Sequence, residues 1–224
     1  REARRRRWWV LQIAPEICES DVAHVGLQKL GLRKQKKYIA WASSLIDLTL
    51  SVDELHTKLN RRWKRALSKA SKSGVIIKKS ELTEVRLAEI LKSYSDLQTR
   101  NEFLGIDSEL ILELSKLSSP EWSVNLFVAE LVIEGSPIQE VGFRVTIRSG
   151  RNVLDFLVST SAKGRQVEAN SALYWHAIVQ AKHSGCRWFD VGGLSDATPK
   201  GIADFKLGLN GTPYQLVGEW RKWF

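Results

Sequence analysis

The sequence predicts a mixed α/β fold, an α+β arrangement around a mixed sheet, and three observations carry that expectation. Ser51-Val52-Asp53-Glu54 is a capping box that opens an amphipathic helix. Residues 124–133, 138–148 and 153–159 are three strand-like segments separated by short turns. From Ala169 onward, helix and strand signals alternate to the end of the sequence.

The elements follow in order. Residues 8–13 read as a buried strand ending at Pro15, 20–30 as a helix closed by Gly31, and 37–50 as a long strand region, together a fragment of an α/β unit. The capped helix runs from Ser51 to about Lys72, with Gly74 just beyond as a C-cap. A strand at 75–79 and helices at 83–100 and 108–117 come next, and Pro120 marks a break. The three strands of the meander turn at Glu134-Gly135-Ser136-Pro137 and Ser149-Gly150-Arg151-Asn152 and should pair antiparallel. A helix at 169–184 stopped by Gly185, a strand at 186–191, a short helix at 201–207 and a strand at 214–220 complete the order. From residue 75 the order is β-α-α-β-β-β-α-β-α-β, which resembles that of GNAT acyltransferases. It implies a partial N-terminal GNAT-like half at 1–50, a bridging basic helix at 51–73 and a complete GNAT-like acyltransferase domain at 74–224.

With 224 residues, 43% of them hydrophobic, the chain can bury one full core. Its apolar runs are far shorter than the roughly 20 residues that span a bilayer, so no integral membrane segment is expected. Two cysteines far apart, Cys18 and Cys186, and no secretory signal point to a reducing cytoplasm. There is no methionine, which implies that the natural start lies before Arg1 or that modified residues are omitted. Of the formal charge of +9, the first seven residues supply +4, as Arg1, Arg4, Arg5, Arg6 and Arg7 against Glu2. This balance favours anionic partners such as nucleic acid, nucleotide-linked substrates or an anionic membrane. An arginine run at a terminus is also simply a solvated end.

On the bridging helix Leu55, Leu59, Trp63, Ala66, Leu67 and Ala70 share one side, a core-facing stripe. Lys58, Arg61, Arg62, Arg65, Lys69 and Lys72 gather within about a third of the circumference. That ridge is either a solvated face, its last turn well placed against the helix dipole, or a phosphate-tracking surface for tRNA or a nucleotide diphosphate. A second constellation is Phe189-Asp190-Val191-Gly192-Gly193 at a strand end, followed by Gly201-Ile202-Ala203-Asp204-Phe205-Lys206. Glycine-rich turns after strands are where open α/β sheets place ligands. Lys206 could stabilise negative charge on a carbonyl under attack by an amine, and Asp190 could position or deprotonate that amine. The plain reading is an Asp capping a turn and a Lys on a helix surface.

The run Ser44-Leu45-Ile46-Asp47-Leu48, Ser51-Val52-Asp53-Glu54-Leu55, Arg61-Arg62-Trp63-Lys64-Arg65-Ala66-Leu67-Ser68-Lys69-Ala70 and Gly74-Val75 resembles the junction of the two GNAT-like halves in the Fem family. The resemblance continues through Thr99-Arg100-Asn101, Leu173-Tyr174-Trp175, Ala181-Lys182, Gly185, the Phe189–Gly193 turn, Gly201, Phe205-Lys206 and Gly208. It implies a peptidoglycan aminoacyltransferase that moves an amino acid from aminoacyl-tRNA, its co-substrate, onto an amine of an anionic cell-wall precursor peptide, without a cofactor. Lys206 would act at the acyl-donor end with Asp190. Phe205, Gly192, Gly193, Tyr174 and Arg144 are the expected substrate-binding residues, and Arg61, Arg62, Arg65 and Lys69 the expected tRNA or phosphate contacts.

Two alternatives stand beside this reading. An acyl-CoA-dependent N-acyltransferase needs backbone amides in a glycine-rich turn to cradle a pyrophosphate. Thr160-Ser161-Ala162-Lys163-Gly164-Arg165-Gln166-Val167-Glu168 has a single glycine there. A non-catalytic nucleic-acid-binding module would use the basic ridge and the nine tryptophans. His24, His56, His176 and His183 show no ligand spacing with the cysteines, so no metal is expected.

Overall fold

The computed structural model describes residues 5–37, 39–101, 106–117 and 119–224. The predicted Arg1 and Arg4 lie outside them, as do the side chains of Arg100 and Asn101. The chain forms two compact units: Arg1–Leu45, Val191–Leu207 and Gly211–Phe224 make the first, Ile46–Asp190 and Gly208–Asn210 the second.

In the first unit, β1 (Val10–Ile13), β10 (Trp220–Trp223) and β2 (Arg33–Lys34) make an antiparallel sheet in the order β1-β10-β2. Helix α1 (Asp21–Lys29) is capped by the Ser20 hydroxyl, which accepts from Ala23 N. It covers one face of that sheet, where Leu27, Leu32, Val217 and Trp220 are buried with Ile13 and Ala23 against them. The first half of β3 (Ala42–Asp47) pairs antiparallel with β9 (Thr212–Gln215), from Ala42↔Gln215 to Leu45↔Thr212.

In the second unit, β4 (Val75–Ser80), β5 (Trp122–Leu131), β6 (Gln139–Ser149) and β7 (Asn152–Thr160) are antiparallel in sequence order, the last three as the meander predicts. β8 (Trp188–Asp190) then adds in parallel to β7. Helices α4 (Glu84–Asn101) and α5 (Ser108–Lys116) cover one face, with Leu87, Ile90, Tyr94 and Ile111 packed on Leu126, Val128, Phe143, Val145 and Leu157. Helix α7 (Ala169–His183) lies on the other face and buries Leu173, Tyr174, Ala177, Ile178 and Ala181. Both faces being covered explains why Val141 to Ile147 of β6 are all buried instead of alternating with solvent.

Several boundaries differ from expectation. The helix expected over 51–72 is two helices, α2 (Val52–Lys58) and α3 (Arg61–Lys72). Leu59 is extended (φ −57°, ψ 139°), and Asn60 restarts the helix by accepting from Trp63 N at 2.9 Å. The capping box itself forms, Ser51 and Glu54 each bonding the other's backbone N–H. The long strand expected over 37–50 shrinks to β3 because the Asp47 carboxylate accepts from Thr49 N and closes a turn. The strand expected over 214–220 divides into β9 and β10 around Gly218, whose φ is +76°. The expected loop after β7 contains a short helix, α6 (Ala162–Gln166).

Candidate active site

The glycine turn after β8 belongs to the first unit. Val191 N donates to Ser44 O at 3.0 Å and Leu194 N to Ala42 O at 2.7 Å, which pins the turn against β3. Gly192 sits at φ +69°, a conformation that a β-carbon would strain. Helix α8 (Lys200–Leu207) begins where Ile202 N and Ala203 N donate to Pro199 O. It carries the half-buried Phe205 and Lys206 in its last turns. The Lys206 ammonium donates to Gly192 O at 3.0 Å and to Gly193 O at 3.4 Å, and the Thr198 hydroxyl donates to Gly193 O at 3.3 Å. Three of the expected site residues, Gly192, Gly193 and Lys206, are therefore brought together. Two fixed carbonyl dipoles aim at the cation and hold its position, the pre-organisation that charge stabilisation in a reaction requires.

Asp190 closes β8 in the second unit, half-buried, at the parallel pair Leu154↔Asp190. Beyond Leu154 strand β7 runs on to Thr160 paired with β6 alone, and its register shifts between Val145 and Thr146 of β6. At the first residue beyond the β8 pairing the Asp155 carboxylate is ion-paired with Arg144 Nη1. Arg144 Nη2 donates to Asn170 Oδ1 at 2.6 Å, and the guanidinium stacks 3.9 Å from the centre of the Tyr174 ring. Arg144 and Tyr174, both expected to touch substrate, are each 1% exposed in the core of the second unit. Burial pushes the Tyr174 hydroxyl well above its ordinary range; the carboxylates of Asp155 and Asp190 push the same way, against Arg144. Asp155 and Asn170 escaped the sequence reading. The signal for Asp155 was an acid and a base, Asp155 and Arg144, on neighbouring strands that otherwise read as core; Asn170, on α7, carried none.

The ridge of the second unit forms as expected, apart from Lys58, which the helix break assigns to α2. Arg61, Arg62, Arg65, Lys69 and Lys72 are exposed along α3, while Trp63 and Ala70 are buried on its opposite side. Trp63 packs edge-on against Tyr174, 5.7 Å between ring centres. Arg61, Lys64, Arg65, Ser68, Lys69 and Lys72 border a shallow depression of about 510 Å³. Lys64 is an addition to the expected set. Among the described residues only Lys69 of this ridge has a carboxylate nearby, Glu168 at 3.9 Å. The first turn of α3 contains no acid and two arginines, so its charges oppose the helix dipole there.

In the loop after β7, Ser161 N donates to Val141 O, Gly164 N to the Ser161 hydroxyl and Arg165 N to Ser161 O. A methyl group at Gly164 would come 2.2 Å from Val141 O. The glycine is thus explained by close packing of α6 on β6. Among the described residues, no three His, Cys, Asp or Glu side chains gather as metal ligands, and no helix is long and apolar enough to cross a membrane.

Residues 57–207 match a family model described as an acetyltransferase (GNAT) domain. The chain belongs to the GNAT acetyltransferase family. The fold of this GNAT protein is similar to that of FemX, with 14% identity, a TM-score of 0.82, and coverage of 100% of this chain and 74% of FemX. It is also similar to L-PGS from Bacillus licheniformis, at 13% identity and TM-score 0.62, covering 99% of this chain and 70% of that one. A tandem GNAT protein from the clavulanic acid biosynthesis pathway is more distant, at 9% identity and TM-score 0.52, covering 99% and 66%. No curated protein matches the chain. The GNAT protein is therefore Fem-like in fold and an acyltransferase by family.

Proposed function

We propose that this GNAT protein is a cytoplasmic aminoacyltransferase of the Fem type, which moves an amino acid from aminoacyl-tRNA to an amine of an anionic cell-wall precursor peptide. The observation that carries the reading is the ridge on α3. Its exposed arginines lack carboxylate partners among the described residues, and Arg61 and Arg62 are placed against the helix dipole, as suits a surface that meets phosphates. The likeness in fold to FemX supports it. The ester of an aminoacyl-tRNA is already activated, so the reaction needs no cofactor. The acceptor amine attacks the ester carbonyl and its proton passes to Asp190. The ester C–O bond breaks, and the ribose hydroxyl of tRNA leaves with a proton. Lys206, held by Gly192 and Gly193, stabilises the charge on the carbonyl oxygen, and Phe205 lines the substrate beside it. Arg144 and Tyr174, being buried, serve substrate binding by ordering the core around Asp190.

The family's description as an acetyltransferase favours a second reading, acyl transfer from an acyl-CoA. Engagement of the amides of Ser161, Gly164 and Arg165 inside the protein speaks against it. Binding of charged tRNA and of acetyl-CoA, measured side by side at low and physiological salt, separates the two. Salt-sensitive tRNA binding that disappears when Arg61, Arg62 and Arg65 become Ala, with no binding of acetyl-CoA, is the expected result. Tight acetyl-CoA binding indifferent to those changes establishes the second reading. Lys206→Ala is expected to lose transfer by about a hundredfold or more with the fold intact; unchanged turnover removes Lys206 from the mechanism.

A further inference from the structure

Among the described residues, the three-stranded sheet of the first unit packs one face on α1, and its opposite face carries side chains that are half-buried to exposed. Ile13 and Trp220 are cross-strand partners pointing at α1, so strand alternation puts Gln12, Arg221 and Arg33 on the opposite side, Arg221 being paired with both. Val10 and Trp223, partners two residues further along, share that side. An outward face of a small sheet ordinarily carries polar side chains. Here Val10 is 40% exposed and Trp223 67%, and Trp8, at the entry to β1, is 44% exposed. Each tryptophan has an arginine above its ring: Arg6 over Trp8 at 5.9 Å and Arg221 over Trp223 at 5.8 Å. Glu219, which accepts from Gln12, is the neighbouring acid.

We propose that this face lies on an anionic lipid surface, with Trp8 and Trp223 in the interfacial layer and Arg6, Arg33 and Arg221 on lipid phosphates. Tryptophan favours the boundary where one part of the ring is apolar and the indole N–H stays wet, and cations next to it add attraction to acidic headgroups. Single-stranded RNA also binds aromatic and basic faces, but by stacking bases on open ring faces. In this sheet a guanidinium occupies a face of both rings, and Val10, which offers RNA nothing, is part of the patch. The proposal uses no residue of the transfer site or of the α3 ridge, so it stands or falls apart from the proposed reaction.

The test is co-sedimentation of the full chain with vesicles of phosphatidylcholine alone and of phosphatidylcholine with phosphatidylglycerol. Binding is expected to the acidic vesicles only. It should fall roughly thirtyfold or more in Arg33→Glu/Arg221→Glu and about tenfold in Trp8→Ala/Trp223→Ala. It should persist when Arg61, Arg62 and Arg65 become Ala, and circular dichroism should show every variant folded. Four results overturn the proposal: no vesicle binding, equal binding to both vesicles, binding lost through the α3 variant and not through the sheet variants, or capture of a single-stranded RNA oligomer through Trp8 and Trp223 without vesicle binding.

Discussion

Gly164 illustrates how a single residue decides between two explanations of a loop. In sequence it is the one glycine where a pyrophosphate cradle would need several. In structure it is the point at which α6 closes on the Val141 carbonyl. Gly164→Ala must push α6 away from β6 and is expected to cost about 1–3 kcal/mol; an unchanged urea midpoint would show that the contact relaxes freely. His176 gives a pH-dependent counterpart. Its ring is half-buried on α7, packed edge-on against Phe127 at 5.4 Å, and burial lowers its pKa below the usual 6.5. Below 6.5 the unfolded chain takes up a proton that the folded chain resists. Stability should therefore be level with respect to this group above pH 6.5 and decline as the pH falls from there through the lowered folded value. Urea melts at pH 7.5 and 5.5 check this, and His176→Gln should narrow the gap between the two midpoints.

At the scale of an element, α3 is at odds with itself. Asn60 caps it, but Arg61 and Arg62 follow immediately at the positive end of the dipole. Arg61→Glu with Arg62→Glu should stabilise the helix by roughly 0.3–1 kcal/mol per residue at low salt. Under the proposed function the same change should abolish tRNA binding. A variant that melts higher and binds tRNA unchanged would show that the ridge is only a solvated face. The apolar stripe and the cationic ridge were both legible, because a period of 3.6 residues sorts side chains onto faces regardless of what lies beyond the helix. The break at Leu59-Asn60 was not, although Asn is a strong capping residue. In sequence Leu59 continues the apolar stripe; the pairing of Asn60 N with Gly208 O, across some 150 residues of chain, is what holds the break.

For the molecule as a whole, the two units differ in how their sheets are covered. The five strands β4 to β8 are packed between α4 and α5 on one face and α7 on the other, whereas among the described residues the sheet of β1, β10 and β2 has a packed core on its α1 face and exposed side chains on the other. Amides of β5, β6, β7 and α7 should exchange with solvent slowest, near the rate set by global unfolding, and those of β1 and β2 should exchange much faster. Hydrogen exchange read by mass spectrometry distinguishes this from uniform protection, which would make the chain a single cooperative block.

By itself the sequence determined the type of most segments, though not all of their boundaries, together with the antiparallel meander, the basic helix and the glycine-lysine constellation, because periodicity, caps and turn residues act within a few residues of one another. Residue type and spacing also marked Lys206 beside a glycine turn, though not that Gly192 and Gly193 would hold it through their carbonyls. The tertiary structure alone decided that Arg144 and Tyr174 are core residues, that Asp155 and Asn170 partner them, and that β9 and β10 belong to different sheets. Each of those depends on contacts between residues distant in sequence. Burial and pairing are properties of the assembled layers, and no local pattern encodes which far segment will supply the partner.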